Sequence, residues 1–201
     1  MPNAIIDKDK ALKKYSQTEQ RIYTNLSEKI INDIDSVLSN VKERNPVKLR
    51  DNTPNILVKQ GINNLPMYQN PSHIRMNILS TEEAVDKGII IRQGDNYHGL
   101  GKKLYLETLN GLDNPRAIFK KSNDKDYIII SELNDCNGNV LIVPIEIHTT
   151  TKVNKVNINT NRIKSLYGKN NIDRYLKDNM ICGNLIQIYE QKRSGVWVQY
   201  S

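Results

Sequence analysis

Apolar residues recur every three or four positions in the first quarter of the chain: Ile22, Leu26, Ile30, Ile34, Val37 and Val41. That spacing lays a single apolar stripe along a helix. The charged stretch from residue 8 to about 44 is therefore predicted as helical. Asn45-Pro46 closes it, because a residue before proline avoids the helical region. The stripe lacks sustained heptads, so a helix docked on the body fits better than a coiled coil. From Asp51 to Pro71 turn formers crowd together: Asn52-Thr53-Pro54, Gly61, Asn63-Asn64-Leu65-Pro66 and Asn70-Pro71. This region reads as a junction with a short helix at 54–60 and an extended piece at Met67-Tyr68-Gln69. A compact helix at 71–79 follows, then a helical start at Thr81 that Gly88 stops.

The second half is more regular. Leu104, Leu106, Leu109 and Leu112 lie on a predicted helix ending near Asn114-Pro115. Three strand-like runs come next, at 116–121, 127–133 and 140–148. They are separated by Asn123-Asp124-Lys125-Asp126 and by Asn134-Asp135-Cys136-Asn137-Gly138, where Asn137-Gly138 signals a tight turn. Tyr127-Ile128-Ile129-Ile130 is apolar on both faces and should lie centrally. Pro144 cannot donate a ladder bond and points to an edge or a bulge. A short strand near 153–158, a helix across 160–178 interrupted at Gly168, and a strand at 184–190 complete the pattern. The expected class is α+β: an N-terminal helical segment, then a small antiparallel meander packed with helices. The expected division is a helical extension over 1–50 and one domain over 51–201.

Composition adds a partner class. Lys and Arg number 29 against 22 Asp and Glu, a net charge of +7, which suits a polyanion such as RNA. Cys136 and Cys182 stand far apart with no CxxC pair, so neither a disulfide framework nor a zinc knuckle is expected. The N-terminus has no charged-then-apolar leader, and no apolar run approaches membrane-spanning length. The expectation is a soluble protein of the host-cell cytoplasm with no membrane partner. Walker, GxGxxG, HExxH and serine-elbow motifs are absent from the chain.

Six short segments carry a resemblance. They are Thr53-Pro54 with Asn64-Leu65-Pro66-Met67-Tyr68; Tyr97-His98-Gly99-Leu100; and Asn114-Pro115-Arg116-Ala117-Ile118-Phe119-Lys120. The others are Ile128-Ile129-Ile130-Ser131-Glu132-Leu133, Gly138-Asn139-Val140-Leu141-Ile142-Val143 and Ile163-Lys164-Ser165-Leu166-Tyr167-Gly168. In order and spacing, the stretch from about Thr53 to Glu190 resembles the C-terminal domains of phage MuF-type minor head proteins and related polyvalent phage proteins. Those domains are grouped with the barnase–EndoU–colicin–RelE-like (BECR) nucleases. The resemblance implies a phage or mobile-element protein with a nuclease-type fold, which cleaves RNA without metal or other cofactor as a toxin or effector would. RNA, tRNA among the candidates, is the implied partner.

Such a reaction needs a base for the 2′-hydroxyl, an acid for the leaving 5′-oxygen, and cations or N–H donors for the phosphorane. Histidine suits the first two roles. His98, beside Gly99 at a predicted helix start, is the first candidate for acid or base, although the same residue could instead cap the helix. Alternation puts Glu146 and His148 on one strand face, where they could act as base and orienter. His73 reads as structural or exposed. Lys120, Ser165 and Tyr167 are candidates to hold the phosphate, with Arg116, Lys121, Ser122 and Lys164 as further substrate contacts. Alternation allows only one of Lys120 and Lys121 to face a site. The rival expectation is a non-catalytic module of the same fold. It would engage an immunity protein, a host protein or a nucleoprotein through the N-terminal helix, as an inhibitor of a defence system would.

Overall fold

Residues 27–191 are described by a computed structural model of the chain. Helix α1 (Glu28–Ser39) is the described part of the predicted N-terminal helix; Ile22 and Leu26 lie outside the described residues. Ile34 and Val37 are 0 % and 1 % exposed, so its stripe is packed into the main core. The buried Arg75 guanidinium reinforces this docking by donating to the carbonyls of Val37 in the last turn of α1 and of Asn40 and Glu43 just beyond it. Strand β1 (Val47–Arg50) follows, then α2 (Asn55–Val58), β2 (Met67–Gln69), α3 (Pro71–Ile78) and α4 (Thr81–Asp86). Ser80 and Glu83 form a reciprocal capping box that starts α4. Helix α5 (Gly101–Asn110) runs into a 3₁₀ turn at Gly111–Asp113.

The meander appears as β3 (Ala117–Lys121), β4 (Asp126–Asn134) and β5 (Val140–Val153), all antiparallel. Beyond it the expected layout fails. No helix crosses 160–178; instead β6 (Val156–Ile163) and β7 (Tyr167–Lys169) both pair with β5, and α6 (Ile172–Ile181) begins only afterwards. The strand expected near 153–158 is present at Val153 and from Val156 on, divided by a hairpin turn where Asn154 and Lys155 take φ of 47° and 69°. Strand β8 (Leu185–Glu190) closes the sheet against β3. The order is β1-β2-β6-β5-β4-β3-β8, with β7 beside β5, and among the described residues only β2–β6 is parallel. The class is α+β, as the pattern of the chain implies.

Both sheet faces are covered in part, and β4 shows why. Tyr127 and Ile129 enter the large core shared with α1, α3 and α5, while Ile128 and Ile130 face α6. Residues 28–50 thus contribute a helix and an edge strand to the same core and sheet as the rest. Pro144 lies in the interior strand β5, not at an edge. Its carbonyl accepts from Lys164 N–H at 2.9 Å, so its donorless nitrogen faces the gap between β6 and β7. The missing ladder bond coincides with the break in the neighbouring strand.

Candidate functional site

Helix α6 covers only part of its sheet face. Beyond it, register and parity line up half-exposed polar residues: Lys121 of β3, Asp126 of β4, Glu146 of β5 and Arg162 of β6. Arg162 donates through Nε and Nη2 to Glu146 Oε2, the fork that a planar guanidinium offers a carboxylate. Lys164, two residues on, reaches Asp126 at 3.2 Å. Burial alone would raise the Asp126 carboxyl. Hydrogen bonds from Asn123 and Lys164, with the charges of Lys164 and Lys121, hold it below its usual value.

His73 borders this row from the first turn of α3. Burial lowers its pKa, and the charges of Arg162 and Lys164 lower it further. One helical turn later Asn77 is fully buried, and its Oδ1 accepts from Ser165 Oγ at 3.1 Å and from Leu166 N–H at 3.3 Å. Its Nδ2 is buried with no hydrogen-bond partner among the described residues. This side chain fixes the strand break where Lys164, Ser165 and Tyr167 sit.

His98 does two jobs. The 98–100 backbone closes the C-terminus of α3: His98, Gly99 and Leu100 N–H donate to the carbonyls of Met76, Leu79 and Asn77 at 2.8–3.1 Å. Gly99 takes a φ of 61° there, and an added Cβ would sit 3.4 Å from that of Ser80. The imidazole stacks on Tyr167, centroids 4.9 Å apart and planes 17° apart. Burial lowers the His98 pKa. Tyr175 of α6 lies near Tyr167, whose phenol is raised by burial and then by that neighbour, and Lys169 Nζ sits 4.6 Å over the Tyr175 ring. Tyr167 pairs opposite Ile142 and Arg162 opposite Glu146, so the stack and the charged row stand on the order of 13 Å apart along β5.

The other candidates fall elsewhere. Lys120 is on the opposite face from Lys121 and pairs with the exposed Asp124 at 2.6 Å, so Lys121 is the lysine that faces the row. Ser122 donates its N–H to Asn184. Arg116 lines a cleft under α6 with Phe119, Ile130, Met180 and Glu190. The alternation expected to bring Glu146 and His148 together is broken by a bulge between Glu146 and Thr149. His148 takes a φ of 50°, its N–H donates to Asn161 Oδ1 at 3.0 Å, and its Nε2 accepts from Asn63 N–H at 3.4 Å. Asn161 Nδ2 in turn donates to Thr53 Oγ1 and Asn63 C=O, so the Thr53 and Asn63–Pro66 motifs form a buried polar clasp. Sequence reasoning missed Arg162, Asp126 and Asn77. The one available signal was period-two parity across β4, β5 and β6, hidden once 160–178 was read as helix.

Among the described residues, no group of three or more His, Cys, Asp or Glu is placed to hold a metal ion. None of the described helices is long and apolar enough to cross a membrane. Residues 90–194, just over half of the chain, match the family model of the phage MuF C-terminal domain. No curated protein and no solved structure matches the chain.

Proposed function

The chain belongs to the phage MuF C-terminal domain family, and on that premise we propose that it is an endoribonuclease whose reaction runs on the open sheet face. The observation that carries the reading is the Glu146–Arg162 ion pair, flanked by His73, Lys164 and Lys121 where α6 leaves the sheet uncovered. An RNA phosphate seated at Arg162 and Lys164 would have its developing charge met by two fixed cations. Glu146, an acceptor oriented by Arg162, takes the 2′-hydroxyl proton. His73 in its protonated form returns a proton to the 5′-oxygen, and attack of the 2′-oxygen on phosphorus expels that oxygen to leave a 2′,3′-cyclic phosphate. His98 and Tyr167 stand to one side of this chemistry, as does Lys120. The charge stabilisation is supplied by side chains, so the reaction needs no metal. The target is RNA in the cytoplasm of the host cell, and the activity is of the toxin or effector type.

The test is cleavage of single-stranded RNA by the full chain in the presence of a chelator. Wild type should yield 2′,3′-cyclic phosphate ends, and Glu146→Gln or His73→Ala should lower kcat/KM by about 10²–10⁴-fold. Intact RNA with wild type, or unchanged rates in both variants, would overturn the reading. Intact RNA would leave the binding-module alternative in its place. That alternative is weakened because the stripe of α1 is occupied by the core.

A further inference from the structure

From Ile147 to Ile172 the chain contains no Asp or Glu, while Lys152, Lys155, Arg162, Lys164 and Lys169 fall within the same segment. This acid-free run is the far half of β5, all of β6 and β7, and the start of α6. Its two ends differ in character. At one end β5 and β6 continue past the bulge as a ribbon, Thr149↔Thr160 through Val153↔Val156. Strand β4 stops pairing with β5 at Glu146, and β2 touches β6 only at Asn161 and Arg162. Past Thr160, whose hydroxyl still donates to Pro66 C=O, the ribbon therefore runs with no strand paired on either flank among the described residues. Lys152 and Lys155 sit at its tip, where positive φ at Asn154 and Lys155 closes a two-residue turn. At the other end His98, Tyr167 and Tyr175 gather with Lys169. Arg162 and Lys164 lie between.

We infer that this segment is a track for single-stranded RNA, with the ribbon lysines and Lys169 following the phosphates and the His98–Tyr167–Tyr175 cluster stacking a base to one side of the scissile bond. The inference rests on the proposed ribonuclease reading and assigns the substrate class to the same site. Arg162 lies seven positions after Lys155 and Lys169 seven positions after Arg162, so the track spans roughly 45 Å at strand rise. That length accommodates a flexible strand of several nucleotides. Aromatic rings flanked by cations are how single strands are held without sequence readout, since every base has a face to stack. A duplex keeps its bases stacked internally and cannot use the aromatic end.

The experiment uses the full chain and a fluorescent 2′-O-methyl RNA 12-mer, which binds but cannot be cleaved. Lys152→Gln with Lys155→Gln should weaken binding about tenfold and reduce the salt slope by about 1.4, as expected for two lost phosphate contacts on a single strand. Tyr167→Leu should weaken it about tenfold with the salt slope unchanged. The double lysine variant should cleave a dinucleotide at the wild-type rate and a long RNA more slowly. Equal binding by wild type and all variants, or tighter binding of a blunt RNA duplex of the same length, would overturn the track. The two readings fail separately. A protein that binds the 12-mer as described but cuts nothing keeps the track and loses the nuclease. One whose double lysine variant cuts dinucleotide and long RNA as wild type does keeps the nuclease and loses the track.

Discussion

Gly168 has no room for a side chain. A Cβ built on it would lie 2.0 Å from Asp135 Oδ2, and that carboxylate is itself fixed by Asn137 N–H, Asn139 N–H and Asn139 Nδ2. Gly168→Ala should therefore destabilise the fold by about 1–3 kcal/mol, read as a lower midpoint in urea, and shortening the acid with Asp135→Ser should recover part of the loss. His73 makes a second prediction at this scale. Its pKa is depressed by burial and then by Arg162 and Lys164. An acid must be protonated to act, so kcat/KM should fall as pH rises through a value below the ordinary 6.5 of histidine. His73→Ala should erase that limb of the pH profile. A limb unchanged in the variant would assign the proton to another group. Residue identity alone could not rank the histidines. His73 and His98 are both half-buried with lowered pKa values, and only the folded chain shows that the charges of Arg162 and Lys164 act on His73 while burial alone acts on His98.

At the scale of elements, the stretch 156–169 is the informative failure. Its apolar residues Ile163 and Leu166 suit a helix, and its three asparagines with Thr160 hide a strand. The structure accounts for them: Thr160 and Asn161 are fully buried because their side chains bond the 53–66 region. Between Ile158 and Ile163 the inward residues of β6 are polar, so the apolar alternation begun at Val156 does not continue. The meander was legible for the opposite reason, since Tyr127–Ile130 alternates between two apolar cores and the Asn137-Gly138 turn has little conformational choice. The clasp makes its own prediction. Asn161→Ala removes the acceptor of His148 N–H and the amide donor to Thr53 Oγ1 and Asn63 C=O, and should cost about 1–3 kcal/mol in equilibrium unfolding. A loss under 0.5 kcal/mol would show that the bulge is held by other contacts.

At the scale of the whole molecule, burial of two histidines couples stability to pH. Both have folded pKa values below 6.5, so the unfolded chain binds protons that the native one refuses. Stability should be level above about pH 7.5 and fall as pH drops through the unfolded value near 6.5. Replacing both with Gln should flatten that slope in urea titrations. Packing of α1 predicts that Ile34→Ala lowers stability by about 2–4 kcal/mol, which a helix free for a partner would not do. The clasp at Asn161 also bears on the order of assembly. It fastens residues 98 and 108 positions apart, and the parallel strand pair β2–β6 spans a similar interval. Contacts of that separation close late, because loop entropy must be overcome first. A nascent chain that ends short of Asn161 has Glu146 but neither its cation nor the clasp that holds the neighbouring bulge at His148. The charged row is therefore completed only after residue 162 has been made, so on the proposed ribonuclease reading the activity waits until most of the described chain has been synthesised.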